Sequence, residues 1–161
     1  MNWPVFGEKL RQNHALEHAT MAILQERDPA ARIIARSSSR GFSLLGTADR
    51  IQVQSAVSEA IRRLASGEHQ LAIAPRCGTT VAVGVVFGTL TLWLSEFLRS
   101  PRHKLALAIG AGLAIAASSQ PLGLLAQRHL TTKARLDGLE IREIRARMLG
   151  RKNWLEVLTS R

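Results

Sequence analysis

A single cysteine in 161 residues, Cys77, excludes an internal disulfide and a Cys-rich zinc knuckle. The 22 Lys and Arg against 12 Asp and Glu leave a net charge of +10. With no tyrosine, four phenylalanines and no basic run interleaved with aromatics, that charge argues against nucleic acid.

In chain order, the N-terminal stretch MNWPVFGEKLRQNHALEHA lacks the apolar core of a signal peptide, so nothing in it sends the first domain across a membrane. Glu8 to Arg27 reads as a helix, preceded by Gly7 and ended by Asp28-Pro29. Its apolar residues Leu10, Ala15, Leu16, Ala19, Ile23 and Leu24 recur at helical spacing and form one face to bury. Arg32 to Arg36 is short and β-branched, a predicted strand. Ser37 to Gly41 reads as a turn, and Phe42 to Leu45 as the returning strand, closed by Gly46. Thr47 or Asp49 can cap a second amphipathic helix, Arg50 to Ala65, which Ser66-Gly67 stops. Leu71 to Ala74 is predicted as a third short strand.

The mean hydropathy of +0.02 averages a polar chain with a very apolar insert. Thr79–Leu98 holds one charge, Glu96, and Leu105–Ala126 holds none. At about 1.5 Å of rise per residue each run can cross a hydrocarbon layer of roughly 30 Å. Arg99 to Lys104, between them, is long enough only for a tight reversal. The prediction is a transmembrane helical hairpin; the competing reading, two buried helices of a soluble core, fits uncharged runs of this length less well. Arg62, Arg63, Arg76, Arg128, Lys133, Arg135, Arg142 and Arg145 flank the outer ends, against Arg99, Arg102 and Lys104 in the loop. By the positive-inside rule both termini are cytoplasmic, in a bacterial cell membrane. Beside a bilayer, the excess of cations points to anionic headgroups as partners. Gly84, Gly88, Gly110 and Gly112 permit close helix packing, and Gly84-xxx-Gly88 can equally serve a homo-oligomer or a membrane-protein partner. In the second run, Pro121 frees the carbonyl of Ala117, which Ser118, Ser119 or Gln120 can satisfy.

After the hairpin, Leu139 to Arg145 alternates apolar and charged residues, as a half-buried strand does, although its charges also suit a helix. Gly150 to Asn153 makes a turn and Trp154 to Thr159 a last strand. These strands are expected to pair with the earlier ones. The fold class is therefore α+β: a small composite cytoplasmic domain of helices and short antiparallel strands, from residues 1–78 and 127–161, interrupted by a transmembrane helical hairpin over 79–126.

The residues best suited to chemistry are in Asn13-His14-Ala15-Leu16-Glu17-His18-Ala19. His14 and His18 lie four apart on one helix face, with Glu17 beside them. Two imidazoles so placed can hold Zn²⁺, and a neighbouring carboxylate can act as base toward a metal-bound water. Cys77, with His69 nearby in sequence, is the candidate third metal ligand, its thiolate favoured at a helix N-terminus. The plainer alternatives are a set of mutually hydrogen-bonded side chains on the helix, and a small apolar Cys77 ahead of a Gly78-Thr79-Thr80 cap. The five residues His14 to His18 resemble the inverted zinc motif of the pitrilysin-like metallopeptidases. That resemblance implies His14 and His18 as ligands and Glu17 as general base. Its third ligand is a distant Glu, for which this chain offers only Glu59 or Glu96, and the chain is too short for that peptidase fold.

Over most of its length the chain also resembles a bacterial family of small two-span proteins, found in cyanobacteria and related lineages and labelled only as a domain of unknown function. The residues that carry this are His14 to Ala19, Gly41-Phe42, Pro75, Cys77 to Thr79, Gln120 to Gly123 and Thr131-Thr132. The family pattern has Asn before the cysteine, where this chain has Arg76, and a His after the position of Ile73 that is missing here. The resemblance implies an architecture and no activity. Three roles stay open: a membrane protein with a metal site on its first helix, a membrane-bound zinc-dependent hydrolase or peptidase using Glu17, and a non-catalytic membrane assembly or binding module.

Overall fold

The structure, a computed structural model, describes residues 7–75, 77–98, 100–150 and 152–160; Arg76 and Arg99, two of the cations used to orient the hairpin, and Met1–Phe6 of the N-terminal stretch lie outside them. The chain divides into two units, Met1–Ile73 with Arg128–Arg161, and Ala74–Gln127.

The first unit is α+β. It comprises α1 (Glu8–Arg27), β1 (Ile33–Ser38), β2 (Gly41–Gly46), α2 (Arg50–Ala65) and a 3₁₀ turn over His69–Ala72, then β3 (Glu140–Leu149) and β4 (Lys152–Ser160). The four strands form one antiparallel sheet in the order β1-β2-β4-β3. Its central pairing, Phe42 opposite Val157 and Leu44 opposite Leu155, joins a strand from before the apolar insert to one from after it. Strand alternation then sends Phe42, Leu44, Ile144, Leu155 and Val157 to one face. There they form one buried cluster with Leu16 and Ile23 of α1 and Val53, Val57 and Leu64 of α2. Each such side chain removed from water contributes about 1.5–3 kcal/mol.

Asp49, not Thr47, caps α2. Its side chain accepts from Gln52 N while the Gln52 amide oxygen accepts from Asp49 N, each at 2.8 Å, so two orphan amides are satisfied together. On the outer side, Arg27 pairs with Glu59 at 2.5 Å and Arg63 with Glu26 at 2.7 Å, lashing α1 to α2. The Arg63 guanidinium also meets Glu68, and this bond, followed by that to Glu26, raises it above the usual arginine range.

Several expectations need correction. Leu71 to Ala74 is no strand: Leu71 N bonds Glu68 O at 3.1 Å and Ile73 N bonds Gln70 O at 3.1 Å, the i to i+3 pattern of a 3₁₀ turn. With Ile73 its sole β-branched residue, that stretch has little to hold it extended. β1 runs through Ser37 and Ser38, which had read as turn, and only Ser39 and Arg40 reverse the chain. Gly41 enables the reversal. Its φ of 142° is one that L side chains rarely adopt, and a Cβ there would sit 1.9 Å from Val157 O.

The second unit is a helical hairpin of α3 (Gly78–Ser95) and α4 (Pro101–Ala126), continued by a π turn over Gln127–Thr131. α4 begins within the presumed loop because Pro101 is tolerated in a first turn, whose Lys104 N bonds Ser100 O at 3.1 Å. α3 stops at Ser95, and tighter turns carry Glu96 to Leu98. The helices run antiparallel, with Gly84 beside Ser119 and Gly123 beside Thr80. A Cβ on Gly123 would lie 2.7 Å from Thr80 Cα, so glycine sets how closely the backbones approach. Ser118 and Ser119 do not serve the carbonyl that Pro121 frees; their hydroxyls donate to Ala114 O and Ile115 O, each at 2.5 Å. At the open end the buried Gln127 amide pairs both ways with the Ala74 backbone: Ala74 N donates to Oε1 at 2.8 Å, and Nε2 donates to Ala74 O at 2.9 Å. Val85, Leu92, Phe97 and Leu113 are each more than 60% exposed. Both helices are long and apolar enough to cross a membrane.

Candidate functional site

α1 buries polar side chains as fully as apolar ones: Gln12, Asn13 and Thr20 are completely covered, and Glu17 and His18 nearly so. Burying such groups is costly unless each finds a partner, so the pattern requires a polar environment prepared for them. The segment after the apolar insert provides much of it. Arg11 donates to His129 O at 3.1 Å and Thr132 O at 3.2 Å, and Gln12 Nε2 to Arg135 O at 3.1 Å. Asn13 donates to Ser38 O at 2.8 Å and accepts from Thr159 Oγ1 at 2.9 Å, joining α1 to both β1 and β4.

The two histidines follow the same rule, with a chemical consequence. His14 Nδ1 lies 3.0 Å from Thr131 O, and His18 Nδ1 lies 2.8 Å from Ala72 O. A carbonyl only accepts, so Nδ1 is a donor nitrogen in each ring. The ring centroids stand 4.4 Å apart at an interplanar angle of 61°. The two imidazoles are thus each oriented by a backbone carbonyl, one of the acceptors that can hold the second ring N–H of a ligating histidine.

Glu17 is buried at 7% exposure and accepts a hydrogen bond from Ser37 Oγ of β1, the residue whose placement in a strand rather than a turn makes that contact. Cys77 belongs to the hairpin unit, where it is the N-cap of α3 and its sulfur accepts from Thr79 N at 3.4 Å. His69 is exposed on the 3₁₀ turn. Glu59 is engaged by Arg27 and Arg63, and within the hairpin unit Glu96 lies 3.7 Å from Lys104. Sequence reasoning missed Arg11, Gln12 and Ser37, and gave Asn13, at the head of the motif, no role. The available signal was a run of long polar side chains inside an otherwise apolar helical stripe.

Comparison with known proteins places the chain in a family. A family model described as "Domain of unknown function (DUF6391)" matches residues 9–144. An uncharacterized protein of Picosynechococcus sp. (strain ATCC 27264 / PCC 7002 / PR-6) is 38% identical over 147 residues, covering 84% of this chain and 71% of the relative. No solved structure matches the chain.

Proposed function

The chain belongs to the DUF6391 family of unknown function, and we propose that it is an integral membrane protein of the bacterial cell membrane whose α+β unit binds a metal ion, Zn²⁺ by ligand type, through His14 and His18. The exposed apolar surface of α3 and α4 supports the membrane part, because a run of large apolar side chains such as Val85, Leu92 and Leu113 is less costly beside lipid than in water. Cation placement in the sequence supports cytoplasmic termini.

The observation that carries the metal reading is the pair of Nδ1-to-carbonyl hydrogen bonds. With Nδ1 of each ring facing a carbonyl, Nε2 is the nitrogen by which a neutral imidazole would ligate, and a backbone acceptor on the other ring N–H is what orients a ligating histidine. Cys77 is assigned the third position on chain length alone, since it follows Ala72, the residue that holds His18, by five residues. Glu17 is the residue we assign as base should the metal activate water.

A second reading is favoured by the bonds that Arg11, Gln12 and His14 make to backbone carbonyls of residues 129–135: the helix is a clasp that closes the composite domain, as a non-catalytic assembly module needs. Metal content by mass spectrometry of the detergent-purified full chain separates the two. Near-stoichiometric zinc in the parent and in Glu17→Gln, lost in His14→Ala/His18→Ala and reduced in Cys77→Ala, is the expected result. Zinc absent from the parent even after reconstitution without chelators would leave the clasp as the role of this helix.

A further inference from the structure

Register places Ile34 of β1, Leu45 of β2, Trp154 of β4 and Arg147 of β3 in one cross-strand row. By alternation this row lies on the sheet face opposite Phe42, Leu44, Leu155 and Val157, which pack with α1 and α2. Leu149 shares the outer face and pairs with Lys152 at the β3–β4 turn. Ile34 is 69% exposed, Leu149 61% and Met148, at the same turn, 75%. Ile51 is 79% exposed in the first turn of α2, a turn tied to this end of the sheet by Asn153 Nδ2 donating to Ala48 O at 3.0 Å. A small domain has little reason to gather large apolar side chains at one end unless something covers them.

The charges beside them say what. Arg147 and Lys152 are exposed in and next to the apolar row, with Arg32 just before β1 and Arg50 opening α2. The acidic groups of the outer face, Glu140, Glu143 and Glu156, lie farther along the strands in the rows of Ser160, Leu158 and Arg145, and Glu143 is ion-paired with Arg145 at 2.9 Å. Asp49, next to Arg50, is engaged in the α2 cap, and Glu143, which also feels the charge of Arg50, is held by Arg145. An apolar end ringed by cations, with a tryptophan between, has the composition of a surface that meets lipid headgroups. A second copy fits poorly, because a two-fold contact would set these cations against their own kind.

The geometry points to this end of the sheet as a docking surface for anionic lipid, with Trp154 at headgroup level, Ile34, Met148 and Leu149 toward the acyl boundary, and Arg147 and Lys152 on lipid phosphates. This rests on the two-span reading of α3 and α4. The unit joins the hairpin covalently at Ile73–Ala74 and at Gln127–Arg128, so a weak attraction would act at high effective concentration.

Two single-tryptophan proteins test it in vesicles of dibrominated lipid, whose bromines quench indole emission within the bilayer. Trp3→Phe/Trp93→Phe keeps Trp154, and Trp3→Phe/Trp154→Phe keeps Trp93 of α3. We expect Trp93 to be quenched in every vesicle, and Trp154 to be quenched in dibrominated phosphatidylglycerol, less in dibrominated phosphatidylcholine, and hardly at all once Arg147→Glu/Lys152→Glu is added. Trp93 quenched with Trp154 unaffected in both lipids would overturn the docking surface and leave the two-span reading standing. Trp93 unquenched would overturn the two-span reading itself. A Trp154 blue shift that follows protein density and ignores lipid charge would assign the face to self-association and overturn the inference.

Discussion

Single residues in this protein act mostly through backbone atoms. His14 and His18 are each held through Nδ1 by a carbonyl, that of Thr131 and that of Ala72, which makes Nδ1 a donor nitrogen in both rings. Gly41 is constrained in the same way from the opposite direction, because the backbone of Val157 occupies the space a side chain would need. Gly41→Ala forces an unfavourable φ and a clash with a main-chain oxygen that cannot rotate aside. We expect a loss of about 1–3 kcal/mol, the range of strained or overpacked sites. Thermal unfolding followed by circular dichroism in detergent measures it, and an unchanged midpoint would mean that the β1–β2 turn can adopt another conformation.

At the scale of elements, the hairpin depends on glycines at particular depths rather than on glycine content. Gly123 faces the Thr80 backbone, whereas a Cβ at Gly88 would meet nothing within 4 Å. Gly123→Ala should therefore destabilise the α3–α4 pair by about 1–3 kcal/mol, while Gly88→Ala stays within about 0.5 kcal/mol. Equal melting shifts for the two variants in detergent would contradict the packing described. The four helices and the β tail were legible in sequence because period and punctuation agree there: α1 and α2 have the bounds that Gly7, Asp28, Asp49 and Ser66 mark. The 3₁₀ turn at His69–Ala72 was not, since four residues with one buried leucine carry no period, and long-range contacts decide their conformation. The partners of the site were hidden for a related reason. His14 and Glu17 could be picked out by type and spacing, but the acceptor Thr131 O and the donor Ser37 are supplied by segments 117 and 20 residues away.

At the scale of the whole molecule, the first unit has no version of itself that lacks the segment after the insert. β2 is central only because β4 lies on its other side, and Phe42 and Leu44 are covered together with Leu155 and Val157. The polar face of α1 is equally dependent: Arg11, Gln12 and His14 bond carbonyls between residues 129 and 135, and Asn13 bonds Thr159. A chain ending at Gln127 would keep α1, α2 and the β1–β2 hairpin but leave an open sheet edge, a half-covered core, and two buried and two half-buried polar side chains without those partners. Two strands without further pairing are marginal even where their faces are covered, and each stranded polar group costs about 1–3 kcal/mol. Against a typical total stability of roughly 5–15 kcal/mol these losses are decisive. We therefore expect the truncated chain to reach the membrane through α3 and α4 while its residues 8–65 are digested by protease at concentrations that leave the full chain intact. Protection of that fragment in the truncated protein would show that the N-terminal segment folds alone, and the composite domain would then be an assembly of two independent parts.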